Sequence, residues 1–293
     1  MININTTLVK KLIQNQFPEY SHLPIYPVEK SGHDNRTFHL GDNMTVRLPS
    51  GKDYASQVEK ECFWLPKLAK SLSIPISSMI KKGEPTCDFP YSWSINKWID
   101  GDTVTHDNIN NLNTFAKDLG NFLKNLQLID AIEGPVAGKH NFYRGGDLMV
   151  YHEETQATLQ NLKNIFPVDI LKELWNIAIS SKWKESPVWV HGDVAIGNIL
   201  VKDGQLCGII DFGVLGVGDP ACDYVMAWTF FDEESRKVFF NTLECDKDTK
   251  NRAMGWALWK ALISYDNNDA TSEISQWAKH TIDEILKDYI QNI

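Results

Sequence analysis

What this chain lacks narrows its class. Its five cysteines, Cys62, Cys87, Cys207, Cys222 and Cys245, are an odd number and include no C-x-x-C pair. Neither a disulfide framework nor a zinc site is signalled, and a reducing, cytoplasmic setting is expected. No run of about 18 apolar residues is present to cross a bilayer, and the opening MININTTLVKKLIQNQF has no basic leader followed by an apolar stretch. Neither export nor a membrane partner is expected. Positive charge is also in short supply, with 29 Lys and Arg against 38 Asp and Glu and a formal net charge of -9. Nucleic-acid binders usually carry a basic face that neutralises phosphates, so no nucleic-acid partner is expected. Finally, there is no G-x-x-x-x-G-K-[ST] loop, the segment SGHDNR at 31–36 does not carry G-x-G-x-x-G, and GVLGVG at 213–218 is too short and misplaced to cradle a dinucleotide.

What is present is a sizeable core. The 293 residues are 43% hydrophobic and include 10 Trp and 13 Phe, whose large side chains are typical of packed interiors and rare in disordered chains. Leu8, Leu12, Ile13 and Phe17 follow helical spacing after an Asn5 or Thr6 cap. The periodicity then changes: Thr37–Leu40 and Met44–Leu48 read as strands joined at Gly41-Asp42-Asn43, a turn whose residues tolerate positive φ. DYASQVEKECFWLPKLAKSL returns to helical spacing, and YSWSINKW reads as a further strand. Beyond Asp100-Gly101-Asp102 the chain is mainly helical, interrupted by short strand-like runs at 188–190, 199–201 and 206–210. The pattern predicts an α+β fold in two parts, a small strand-rich one over residues 1–97 and a larger helical one over 98–293.

The interruption carries the chemistry. Within VWVHGDVAIGNILVKDGQLCGIIDFG stand Asp193, Asn198 and Asp211. Asp211 ends an apolar run, where a carboxylate needs a partner, and a divalent cation is one. Asn198 precedes the neighbouring strand, and its amide oxygen is a hard donor suited to magnesium. Asp193 then stands where it could take a proton from a hydroxyl while metal and phosphate sit nearby. The alternative at this level is a hairpin whose aspartates merely cap backbone amides.

HGDVAIGN followed by IIDFG resembles the catalytic loop and metal-binding motif of the aminoglycoside phosphotransferase family, which shares the protein-kinase fold. SGHDNRTFHLGDNMTVRLP, KECFWLPKLA, YSWSINKWIDGD and GDPACDYVMAW are similar to its first hairpin, lobe-linking helix, hinge and post-metal segment, so the resemblance covers nearly the whole chain. It implies a protein-kinase-like two-lobed fold, with a nucleotide-binding lobe at 1–97 and a helical lobe at 98–293 holding the catalytic loop and acceptor site. It further implies Asp193 as catalytic base, Asn198 and Asp211 as Mg2+ ligands, and His191 as a residue steadying the loop. Arg47 stands at the usual β3 lysine position, where its planar fork keeps the charge and changes the geometry, and Glu61 stands as its helix partner, with Glu59 the competitor. Gly32 would let backbone approach the phosphates of ATP or GTP, and Asn96 and Trp98, in the hinge, would meet the base mostly through backbone groups.

By the same resemblance the activity is transfer of phosphate to a hydroxyl of a cationic small molecule, an aminoglycoside first. Kinases of choline, ethanolamine, homoserine or amino sugars, and a catalytically idle kinase-like binding module, are the alternatives. Acidic stretches beyond residue 220, FFDEESRK, LECDKD and SYDNND, are candidates for holding a polycation. Asp219 before Pro220 reads as a helix cap, and Arg144 in FYRGGD as either a loop residue or a substrate contact.

Overall fold

A computed structural model describes residues 2–29, 32 and 34–291, so Ser31 and His33 of the SGHDNR loop lie outside the described residues. The chain separates into two compact units. The first comprises residues 2–102 with Leu200–Lys202 and Cys207–Gly213, and the second the remainder. Compactness thus places the division after Asp102 and returns two later segments to the N-terminal unit. The physical reason is backbone pairing: Ser77 N–H donates to Ile209 O at 3.3 Å and Ile209 N–H to Pro75 O at 3.0 Å.

In the first unit, α1 (Thr6–Gln16) starts at Asn5, whose side chain accepts from Leu8 N–H at 3.0 Å. Strands β1 (Ile25–Pro27), β2 (Asn35–Leu40), β3 (Met44–Pro49), β4 (Met79–Gly83) and β5 (Trp93–Lys97) form one antiparallel sheet in the order β1-β2-β3-β5-β4. The β2–β3 hairpin turns at Gly41, whose φ of 62° is the left-handed conformation that glycine adopts without strain. Alternate side chains, Phe38 and Leu40 on β2 and Val46 and Leu48 on β3, pack with Val9, Leu12 and Ile13 of α1 into one core. Helix α2 (Ala55–Leu68) turns Val58, Glu61 and Leu65 inward, so a carboxylate shares a face with core residues.

β6 (Asp102–Thr103), β8 (Ile199–Lys202) and β9 (Gln205–Ile209) make a second sheet ordered β6-β8-β9. In the second unit, β7 (Val188–Val190) pairs antiparallel with β10 (Gly216–Gly218). GVLGVG is therefore partly a strand, and its Gly218 sits so near Gly145 O that no side chain fits. The helices here are α3 (Leu112–Gln127), α4 (His152–Asn161), α5 (Val168–Ile179), α6 (Met226–Thr229), α7 (Glu233–Leu243), α8 (Lys247–Ser264) and α9 (Glu273–Gln291). α8 is buried from Arg252 to Trp259 without interruption, the pattern of a helix apolar all round and packed on several sides, here by α4, α5, α6 and α9. None of the described helices is long and apolar enough to cross a membrane.

Candidate active site

The predicted residues divide between the two units. In the first, the β3 side chain Arg47 meets both Glu61 and Asp211. Its Nη1 donates to the two Glu61 oxygens at 3.3 Å each, and its Nη2 to Asp211 Oδ1 at 2.7 Å. Glu61 is buried, while Glu59, the competing helix acid, faces Lys82 at 2.9 Å and Ser92 at 2.8 Å. Burial pushes the Glu61 carboxyl up from its ordinary value and the Arg47 charge pulls it back. Burial also works against the Arg47 charge, but Glu61 and Asp211 outweigh it and hold the guanidinium firmly protonated. The arginine fork thus grips two carboxylates at once, which a point-like ammonium would do with less directional definition.

Asp211 adopts φ +65°, a left-handed conformation that costs a non-glycine residue about 1–2 kcal/mol and persists only where the surroundings enforce it. Those surroundings are the Arg47 contact and the following Gly213, where a Cβ would stand 2.6 Å from Gln57 Oε1. Gln57 itself donates to Asp34 Oδ2 at 3.2 Å, tying α2 to the segment that leads into β2. Gly32 is exposed with open space where a Cβ would be, and its carbonyl accepts from Arg36 at 2.8 Å. Asn96 is buried in β5 between Thr45 and Met79, and the Trp98 N–H is already donated to Asn43 O at 2.8 Å. A contact from Trp98 to a nucleobase is thereby restricted to its carbonyl and ring.

In the second unit the loop that carries Asp193 hangs from a residue to which the sequence assigned no role. The fully buried Asp223 accepts from the backbone N–H of His191 and of Gly192, both at 2.7 Å. Burial raises the Asp223 carboxyl, while the neighbouring His191 ring and the two amides lower it. His191 is also fully buried, and its Nδ1 accepts from Asp193 N–H at 3.1 Å. Gly192 has φ +86°, and a Cβ there would lie 2.6 Å from Val214 O, so both conformation and space demand glycine. Held this way, Asp193 is exposed, and the Asn198 amide donates to its carbonyl and to its Oδ2, each at 2.9 Å. The Asn198 amide nitrogen being occupied, its oxygen is the atom left for a ligand. The signal for Asp223 was its place in GDPACDYVMAW, but only the folded chain brings it to the loop.

Asp219 caps Ala221 N–H at 3.1 Å with Pro220 at the first helical position, and it also receives a buried ion pair from Arg252 Nε at 2.6 Å. A cavity of about 740 Å³ opens beside the loop, entirely within the second unit, and Asp193 is on its wall. Arg144 lines the same cavity, with its guanidinium 5.1 Å from the Trp256 ring and 5.0 Å from the Trp259 ring. None of the acidic stretches expected to hold a polycation reaches that wall. Glu233 pairs with Lys237, Glu234 accepts from Asn113, Glu244 pairs with Lys124, and Asp232 and Asp246 cap α7 and α8. Among the described residues no group of three or more His, Cys, Asp or Glu could hold a metal ion unaided.

Comparison with known proteins bears on family and fold. The family model described as phosphotransferase enzyme family matches residues 28–252. An aminoglycoside 3'-phosphotransferase of Staphylococcus aureus is 27% identical over 107 residues, 35% of this chain and 41% of that protein, so the match spans less than half of the relative. Among solved structures, the GDP complex of wild-type aminoglycoside 2'-phosphotransferase-IIIa superposes with a TM-score of 0.70 at 18% identity, covering 99% of this chain and 100% of that one. A GDP and kanamycin complex from the same group gives 0.69 at 18% identity, over 97% and 99% of the two chains. The likeness is one of fold, and it is the protein-kinase-like α+β fold.

Proposed function

The chain belongs to the phosphotransferase enzyme family, and on that premise we propose that it is a nucleotide- and magnesium-dependent O-phosphotransferase acting on a hydroxyl of a cationic small molecule. The observation that carries the proposal is Asp193, an exposed carboxylate on the wall of a ligand-sized cavity, in a loop fixed by Asp223 and oriented by Asn198. A carboxylate so placed accepts the proton of an acceptor hydroxyl as that oxygen attacks the terminal phosphorus of ATP or GTP.

Arg47 is proposed to neutralise the nucleotide phosphates, its fork held in place by Glu61. Asp211 and Asn198 supply one carboxylate and one amide oxygen, hard donors that suit a magnesium ion whose remaining ligands are phosphate oxygens and water. The ion would screen the phosphate charge that repels the entering oxygen. Gly32, Asn96 and Trp98 are retained as proposed nucleotide contacts, through backbone for the first two and through carbonyl or ring for the last. An aminoglycoside is the acceptor that the family resemblance implies, and it serves as the reference compound against which other acceptors are compared.

The test is Asp193→Ala. Nucleotide affinity, measured by titration calorimetry with Mg2+ present, should stay within a few-fold, whereas kcat should fall by about 10² to 10⁴. Turnover surviving within a few-fold would remove Asp193 as the base.

A further inference from the structure

Gln57, on the inward face of α2, is a buried amide with only one end satisfied. Its Nε2 donates to Asp34 Oδ2 at 3.2 Å, while its Oε1 is buried with no partner among the described residues. A buried carbonyl oxygen without a donor is destabilising, and an apolar side chain of the same length would avoid that cost. Local stability therefore does not account for a glutamine at this position.

The unpaired oxygen rests on Gly213. A Cβ there would stand 2.6 Å from Gln57 Oε1, 2.7 Å from its Cδ and 3.1 Å from its Nε2, so the three nearest atoms all belong to this one amide. Gly213 is not among the glycines with positive φ, and left-handed backbone is not what demands the glycine. What excludes a side chain at 213 is the Gln57 amide. Asp211, at the head of the same turn, is held through its carboxylate by Arg47 and through its N–H by Ser77 Oγ at 3.4 Å, and Gln57 bears on the tail. At its other end the amide holds Asp34, which the Tyr54 hydroxyl also bonds from the start of α2. Ser50 N–H donates to Asp34 O at 2.8 Å and carries the tie to the end of β3. One side chain of α2 thus touches both the segment leading from Gly32 into β2 and the turn Asp211-Phe212-Gly213, all within the first unit.

We propose that Gln57 is a positioning residue that couples nucleotide and metal binding, its amide holding the segment from Gly32 to β2 and the Asp211-Phe212-Gly213 turn at a fixed spacing. The inference rests on the phosphotransferase reading, which puts Gly32 beside the nucleotide phosphates and Asp211 on the magnesium ion that those phosphates share. A ligand that orders either segment orders the other through the amide, so each ligand gains affinity when the other is bound, and the gain is the same in both directions. Gln57 needs no contact with either ligand and moves no proton.

The experiment titrates the full chain by calorimetry with a non-hydrolysable ATP analogue, once with Mg2+ and once in EDTA, and the ratio of the two dissociation constants measures the coupling. Gln57→Met keeps the length of the side chain and removes both polar groups. It should lower that ratio by about ten-fold, equivalent to ~1.4 kcal/mol of coupling, with Tm unchanged or raised because the unpaired oxygen is gone. A purely structural role would lower Tm and leave the ratio alone. Gly213→Ala forces the amide off its seat and should lower the ratio to a similar extent; in a Gln57→Ala background, where that space is open, it should add little. A ratio unchanged in Gln57→Met, or Gly213→Ala acting equally in both backgrounds, would overturn the inference and leave the phosphotransferase reading standing. An analogue that binds the wild-type chain under neither condition would sink both.

Discussion

Arg47 sits where three demands meet: it is largely withdrawn from solvent, it neutralises Glu61, and it holds the strained Asp211. Removing it therefore leaves two carboxylates without their cation as well as the phosphates without a donor. Arg47→Ala should raise the nucleotide KM and lower kcat, with acceptor affinity little changed. It should also destabilise the chain by about 3–5 kcal/mol, the usual consequence of breaking a buried pair from one side. Arg47→Lys should recover part of the activity, since it restores the charge and not the fork. Steady-state kinetics beside thermal unfolding separates the two effects, and equal activity of all three forms would mean that the phosphates are held elsewhere.

At the scale of elements, two connections decide the site. The first joins the loop after β7 to Asp223, in the turn that precedes α6. Asp223→Ala orphans two buried N–H groups, each costing about 1–3 kcal/mol, and frees the loop that aims Asp193. A fall in kcat larger than any rise in nucleotide KM is expected, together with a lower Tm; unchanged kcat would show that the loop needs no such support. The second connection is α2, whose inward face carries Glu61 and whose Lys60 is pushed down to about 8 by burial, with Glu61 partly opposing the shift. A lysine lowered on folding contributes stability that is present above its unfolded value near 10.5 and lost as pH falls through about 8. Stability should therefore rise between pH 8 and 10.5 by at most about 1.4 kcal/mol per pH unit from this group. Lys60→Met should remove that rise and raise Tm at pH 7. The difference between the two denaturation profiles isolates Lys60 from the cysteines and tyrosines that titrate in the same range.

For the whole molecule the relevant quantity is the net charge of -9, set against a cavity wall whose own charges balance, Asp193 and Glu273 against Arg144 and Lys260. Attraction of a cation is then a long-range property of the protein surface rather than of the binding wall, and salt screens it with a Debye length of about 10 Å at 0.1 M. The apparent KM of a polyamine acceptor should rise steeply between low and physiological ionic strength, and that of a monoamine acceptor only slightly. Measuring both at fixed Mg2+ and nucleotide checks this, and parallel slopes for the two would place the attracting carboxylates inside the cavity.

Local pattern alone determined the elements and the chemical inventory. The helix begun at Asn5, the hairpin turning at Gly41, the strand at Trp93–Lys97 and the short strand before His191 all follow from capping, turn and period-two signals acting within a few residues. The spacing of Asp193, Asn198 and Asp211 beside strand-like runs was legible for the same reason, because motif spacing is itself local. Strands β1, β4, β6 and β10 were not visible, since three are short and β4 carries charged residues, so that each owes its existence to a neighbour across the sheet. Asp223 belongs to the same class, and Glu61 was named only through the family resemblance. A carboxylate in a sequence is ordinarily a solvated charge, and it became a loop anchor or an arginine partner only when burial removed water and put two amides or a guanidinium in its place. The acidic stretches beyond residue 220 went the other way, into caps and surface pairs, while tryptophans 256, 259 and 277, separated in sequence between α8 and α9, came to line one wall. Which side chains converge on a ligand depends on how helices pack, and helix packing is decided by contacts between residues far apart in the chain.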